Sequence, residues 1–338
     1  MSNQKLSLAQ SYKDYFDIGV AINPRAVALG GELIKTQFNS VTCENEMKPV
    51  SIQPQQGEFT FTNADMVADF AVANDLKIRG HTLVWHSQTG RWMYKDNNDE
   101  NLSKELLYAY MKEHIDAVLS KYAGKVYCWD VVNEAISDES DQYLRVRSPY
   151  FEIVGSEEFI EKAFFFAHEA DPGALLFYND YNTEIPEKRE KVYRLVKSFK
   201  DKNVPIHGVG LQGHYNVFFD LDELKKSIEM FSSLGLAIHI TELDISLYRH
   251  NESERELRFE TPAEAGERMD LQTELYEKMF TLLRQYKNEV GSITFWGLND
   301  RISWLNNFPV RNRRNFPLLF DDDGNPKEAY HKIIDFVD

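Results

Sequence analysis

At 338 residues, with 43% hydrophobic and 27% charged side chains, the sequence has the make-up of an ordinary globular chain, which excludes a disordered or collagen-like architecture. Thirty-eight basic against 54 acidic side chains leave a net charge of −16, which opposes general binding to nucleic acid or to an anionic membrane. No stretch nears the roughly 18 apolar residues of a membrane span, and the first twenty residues lack the apolar segment of a secretory leader, so a cytoplasmic protein is expected.

In chain order, eight short apolar, β-branched runs read as strands: DIGVAI (17–22), SVTCEN (40–45), KIRGHTLVW (77–85), VYCWDVVNE (126–134), ALLFYNDYN (174–182), GVGLQGHY (208–215), AIHITELDI (237–245) and SITFWGLND (292–300). Amphipathic helices fall between them. After run three, Ser103 opens a helix with Leu106, Tyr110, Met111, Ile115, Val118 and Leu119 at the three-four spacing of a core-facing stripe. After run six, a helix carrying Leu224, Ile228 and Phe231 closes at Gly235. After run seven, Thr261-Pro262-Ala263-Glu264 is a capping box with proline first, and the helix it opens continues through Leu275, Met279, Leu282, Leu283 and Tyr286.

Eight strand–helix units without a low-complexity linker predict an α/β protein with one closed (β/α)8 barrel over 1–338, not two doubly wound domains. A barrel needs about 250 residues. The excess goes into loops, the longest being 246–260 and 301–325, both at the C-terminal face where barrel enzymes keep their active sites. Cys43 and Cys128 are too few for a disulfide framework and lie outside any metal-ligand spacing, so both read as buried, reduced packing residues.

Function is therefore sought at the C-terminal ends of the runs, and these gather carboxylates, amides and indoles. They read Glu44-Asn45, Trp85-His86, Asn133-Glu134, Asn179-Asp180-Tyr181-Asn182, Gln212-Gly213-His214-Tyr215, Glu242-Leu243-Asp244 and Trp296 to Asp300. Glu134 and Glu242 end or nearly end runs four and seven, which face each other across the mouth. A carboxylate pair is the minimum equipment for glycoside hydrolysis, one protonating the leaving oxygen and the other acting as nucleophile or base. Either glutamate alone could simply pair with a buried cation; the amide and indole neighbours favour catalysis.

WDVVNEA, ITELDI, ENEMKP, GHTLVWHSQ, YNDYN, GLQGHYN and FWGLNDRISW resemble, in family order, the signature segments of glycoside hydrolase family 10, the (β/α)8 endo-β-1,4-xylanases. The resemblance runs over essentially the whole chain, PLLFDDDGNPKEAY included. It implies a retaining mechanism with Glu134 as acid/base and Glu242 as nucleophile, Asn133 on the sugar 2-hydroxyl, and His214 bridging Glu242 and Asp244. It implies that Glu44, Asn45, Lys48, His81, Trp85, Gln88, Gln212, Trp296 and Trp304 line the glycone side, with Tyr178 and Asn179 also among the substrate-binding residues. Gln88 and Trp304 would stand where glucose, unlike xylose, carries a hydroxymethyl group. Xylan-derived oligosaccharides are the implied partner, with neither cofactor nor metal.

Other readings are weaker. Trp129 reads as core, His239 as a polar residue inside the barrel, and Trp92 as either a sugar platform or a loop anchor. The segment 208–213 matches GxGxxG, but it is itself a strand and does not open a helix, so it is no dinucleotide site. A metal-dependent hydrolase would want clustered histidines, and the loops after runs seven and eight lack the glycines of a phosphate site. RNRR (311–314) reads as a solvated face or loop clamp. The competing functions are a glucan-active retaining β-1,4-glycosidase and a sugar-binding barrel without catalysis.

Overall fold

The computed structural model describes residues 7–249 and 254–336. Eight parallel strands close into a barrel: β1 (Asp17–Ile22), β2 (Ser40–Cys43), β3 (Lys77–Trp85), β4 (Val126–Asn133), β5 (Leu175–Asp180), β6 (Gly208–Leu211), β8 (Ala237–Ser246) and β9 (Val290–Phe295). The circle runs β1-β2-β3-β4-β5-β6-β8-β9 and is sealed by β1 against β9. The short β7 (His214–Asn216) adds to β8 at the mouth, with His214 opposite Asp244.

Sequence runs and strands coincide closely, with one difference. Run six is two strands, because Gln212 and Gly213 leave the ladder at Gly213 φ +81°, a conformation glycine adopts without a Cβ penalty. The other glycines of that run are packing devices. A Cβ at Gly208 would lie 2.1 Å from the Phe177 ring, and one at Gly210 would lie 2.2 Å from Asn179 Oδ1. The GxGxxG spacing thus makes room for two large neighbours on β5.

The helices cover the barrel as expected, with two shifts of detail. In the helix Lys104–Tyr122, capped by the Ser103 hydroxyl, the buried stripe is Leu107, Met111, Ile115, Val118 and Leu119, while Leu106 is exposed and Tyr110 half-buried. Met111, Ile115, Val118 and Leu119 are buried as expected, and Leu107 takes the place expected of Leu106. Thr261 does cap a helix, but it covers only Pro262–Ala265; Gly266 at φ +43° breaks it before the long helix Glu267–Gln285. Of the predicted long loop 246–260, residues 250–253 lie outside the described residues.

Trp129 is fully buried, and its ring lies where a Cβ at Gly80 on the neighbouring strand would sit 2.1 Å away. Truncating so large a core residue to alanine costs about 3–5 kcal/mol. His239 lies inside the barrel with Nδ1 2.8 Å from Arg79 Nη1, and burial drives its pKa well down, so it is a neutral, partnered core residue. Trp92 is an anchor, its indole N–H donating to the Gln53 carbonyl and its ring lying against Tyr110. RNRR is a clamp: Arg313 is buried over the Tyr248 ring and Arg314 pairs with Asp322. Both cysteines are free and buried. Among the described residues no helix is long and apolar enough to cross a membrane.

Candidate active site

Register assembles the first layer of the site. Trp85 on β3 pairs with Asn133 on β4, and Asn133 pairs with Asn179 on β5, so an indole and two amides stand in a row across three strand ends. Glu134 follows Asn133 at φ +58°, and that left-handed turn swings its carboxyl over the mouth. On β8 a register irregularity between Ile240 and Leu243 lets two successive side chains face inward. Thr241 donates to Asn179 Oδ1, and Glu242 accepts from the Asn179 amide at 2.9 Å.

The two glutamates are joined through three amides. Gln212 Nε2 donates to Glu134 Oε1 at 2.9 Å and to Asn133 Oδ1 at 3.3 Å. Asn179 Nδ2 donates to Asn133 Oδ1 and to Glu242 Oε1, both at 2.9 Å. Glu134 also accepts from the Trp85 indole N–H at 2.9 Å and from the Asn133 amide at 3.2 Å.

Glu242 lies among positive groups. His214 Nε2 is 3.2 Å from Glu242 Oε2, His214 Nδ1 is 3.0 Å from Asp244 Oδ2, and His81 Nε2 is 4.0 Å from Glu242 Oε1. Burial alone would lift the Glu242 carboxyl, but the hydrogen bond from His214 and the charges of His81, His214 and Lys48 hold it below the usual range. Burial alone would depress His214 too. Asp244 and Glu242 overcome it and push the imidazole up to about 10, so His214 is a cation that donates to both carboxylates. His81 is oriented from below by Asp130, 2.9 Å from its Nδ1, and Asp130 is paired with Arg79 inside the barrel.

Most other predicted site residues surround this pair. Lys48 donates to Asn45 Oδ1 at 2.8 Å and lies over the Trp85 ring, while Glu44 accepts from Asn23, so Lys48 has no direct bond to Glu44. Trp296 stands edge-on to His81 and His214, and Trp304 donates to Asp244 Oδ2. Two further predicted residues make their hydrogen bonds outside this group. The Gln88 side chain is exposed on a turn at φ +45° whose carbonyl accepts from Val50 N–H. Tyr178 is fully buried, and its hydroxyl is taken up by the Ala135 and Ile136 amides and by Asp180 rather than turned to the mouth.

Sequence reasoning missed Arg145, whose Nε donates to the Glu134 carbonyl at 3.2 Å, and the buried Asp180–Lys188 pair beneath the turn. The signal available was an aspartate near the end of run five with a lysine on the next helix. Among the described residues no group of three or more His, Cys, Asp or Glu is arranged to hold a metal ion.

A carboxylate held ionised by an imidazolium, facing a second carboxyl gripped by neutral amide and indole N–H groups, can divide nucleophilic and proton-transfer work. Comparison with known proteins agrees with that chemistry. The Glycosyl hydrolase family 10 profile matches residues 7–336. Endo-1,4-beta-xylanase B of Paenibacillus barcinonensis is 45% identical over 335 residues, covering 99% of each chain. Beta-1,4-xylanase of Dictyoglomus thermophilum is 48% identical over 332 residues, covering 98% of this chain and 91% of that one. The crystal structure of xylanase XynB from Paenibacillus barcinonensis complexed with a conduramine derivative superimposes with a TM-score of 0.94 at 44% identity, covering 98% of this chain and 99% of that one. With the (β/α)8 barrel, the paired glutamates and a match over nearly its whole length, the chain belongs to glycosyl hydrolase family 10.

Proposed function

We propose that this chain is an endo-β-1,4-xylanase that cleaves internal xylosidic bonds of xylan-derived oligosaccharides with retention of anomeric configuration, through Glu242 as nucleophile and Glu134 as acid and then base. The observation that carries the division of roles is the cationic His214 bound to Glu242, which keeps that carboxyl ionised and oriented while the hydrogen bonds to the Glu134 carboxyl come from neutral donors.

In the first step a Glu242 oxygen attacks the anomeric carbon, and the bond to the leaving sugar oxygen breaks as Glu134 gives that oxygen its proton. The product is a glycosyl ester on Glu242. In the second step Glu134, now a carboxylate, takes a proton from water; the water oxygen attacks the anomeric carbon and Glu242 leaves. Positive charge gathers on the ring in both transition states, and the Asn133 amide stands ready to hold the 2-hydroxyl as it does so. Retention requires the two carboxyl groups to lie about 5–5.5 Å apart, against roughly 6.5–9.5 Å for an inverting pair.

The chain as a whole, 1–338, is read as one catalytic domain, supported by the family match over 7–336. A cytoplasmic site of action is part of the proposal, and the two unpaired buried thiols support it. A proton NMR time course on xylotetraose tests the reaction. The account predicts β-configured xylo-oligosaccharides first, with the α-anomer arriving only by mutarotation; an initial α-product, or no cleavage of xylotetraose while cellotetraose is cut, overturns it.

A further inference from the structure

The Glu134 carboxyl is aimed by a backbone turn that side-chain-bearing residues rarely adopt, at φ +58°. Beyond such a residue successive N–H groups point to one side, and those of Ala135 and Ile136 converge on a single acceptor, the Tyr178 phenol oxygen, each at 3.1 Å. The phenol donates in turn to Asp180 Oδ2 at 2.5 Å. Asp180 is held by Lys188 Nζ at 2.8 Å and by the Tyr181 N–H at 2.9 Å. Tyr178 and Asp180 are 0% exposed and Lys188 2%, so water cannot stand in for any of these bonds. The rest of the turn is fixed by the Glu134 N–H to the Asn179 carbonyl and by Arg145 Nε to the Glu134 carbonyl.

A phenol that donates to a lysine-paired carboxylate becomes a better acceptor, because successive hydrogen bonds polarise one another in a dry interior. The arrangement is more than a strand–strand packing contact, since its one oxygen meets both amides that follow the acid. We propose that Tyr178 is a positioning residue for proton transfer, its hydroxyl, backed by Asp180 and Lys188, clamping the Ala135 and Ile136 amides and so fixing the turn that aims the Glu134 carboxyl. The inference rests on Glu134 being the acid/base. Without the phenol oxygen two buried N–H groups lose their acceptor, the turn relaxes, and the Glu134 carboxyl leaves its place between Trp85 and Gln212. Glu242 is held by His214 as well as by Asn179 and keeps its place.

A structural defect would slow every substrate alike; a misaimed acid slows only those whose leaving group needs a proton. The test compares kcat/KM for xylotetraose, whose leaving sugar must be protonated, with kcat/KM for 2,4-dinitrophenyl xylobioside, whose leaving group need not be. Tyr178→Phe, Asp180→Asn and, as reference, Glu134→Ala are assayed together, with folding followed by circular dichroism. A general acid contributes about 10²–10⁴ in rate, so Tyr178→Phe should lose at least about tenfold more on xylotetraose than on the aryl substrate, with Asp180→Asn shifted the same way. Should Tyr178→Phe not fold, Asp180→Asn decides, because it keeps the side-chain shape and an acceptor for the phenol while removing the charge. Equal losses on the two substrates in a folded variant, beside a clear split in Glu134→Ala, overturn the proposal. Absence of the split in Glu134→Ala overturns the acid assignment and the proposal with it.

Discussion

The Trp304 indole N–H donates a 2.8 Å hydrogen bond to Asp244 Oδ2, the same oxygen that lies 3.0 Å from His214 Nδ1. His214 continues to Glu242, so a loop residue is linked to the nucleophile through two side chains. The Trp304 ring also lies 4.9 Å from the His214 ring and stacks on Phe308. The family resemblance suggested Trp304 and Gln88 together as a steric gate against glucose; Gln88 is exposed on a turn of its own.

Gate and support make different predictions for Trp304→Phe, which keeps aromatic bulk and loses only the N–H donor. A hydrogen bond to a charged group is worth about 1.5–3 kcal/mol where it is made. Part of that reaching Glu242 should lower kcat on aryl xylobioside by up to about tenfold, with the ratio to cellobioside activity unchanged. Trp304→Ala removes the bulk as well and should narrow that ratio by about 10- to 200-fold. Unchanged kcat in Trp304→Phe would show that the link to Asp244 does not support the nucleophile.

The ionised His214 also sets a pH dependence of stability. Its folded-state pKa is raised from 6.5 to about 10, so the folded protein holds this proton more tightly than the unfolded chain does. The stabilisation is complete below about pH 6.5 and disappears as the pH rises through about 10. Glu242 works in the opposite direction: its lowered pKa contributes stability above its usual value of 4.5, lost as the pH falls through the folded-state value. Urea unfolding of wild type and His214→Gln between pH 6 and pH 10 should show a steeper alkaline loss in wild type. Parallel curves would mean that His214 is not held as a cation.

What could be read in the sequence and what could not have separate physical causes. Strands buried on both faces read as near-continuous apolar runs, which is why eight segments were visible and their polar ends marked the mouth. The break at Gly213, the interruption at Gly266 and the left-handed turn at Glu134 are backbone conformations, and residue type alone does not fix them. Tyr178 stood among the substrate-binding residues on the family resemblance alone. Its hydrogen-bonding partners, the amides of Ala135 and Ile136, lie 43 and 42 residues away in the chain, and only the β4–β5 register brings them under the phenol. Arg79 was read as part of an apolar strand; it is buried inside the barrel because Asp130 on the next strand neutralises it.

The central claim is that Glu242 forms a covalent bond to the sugar, and trapping that bond tests it most directly. A 2-deoxy-2-fluoro-xylobioside with a dinitrophenolate leaving group should inactivate the enzyme, because the fluorine slows both formation and breakdown of the glycosyl ester while the activated leaving group restores formation alone, so the ester accumulates. Peptide mass spectrometry of the inactivated protein should find one fluoroxylobiosyl group, on the peptide carrying Glu242, and none in Glu242→Ala. An adduct on Glu134 or another residue, or dinitrophenolate release that continues without any adduct, would contradict the account.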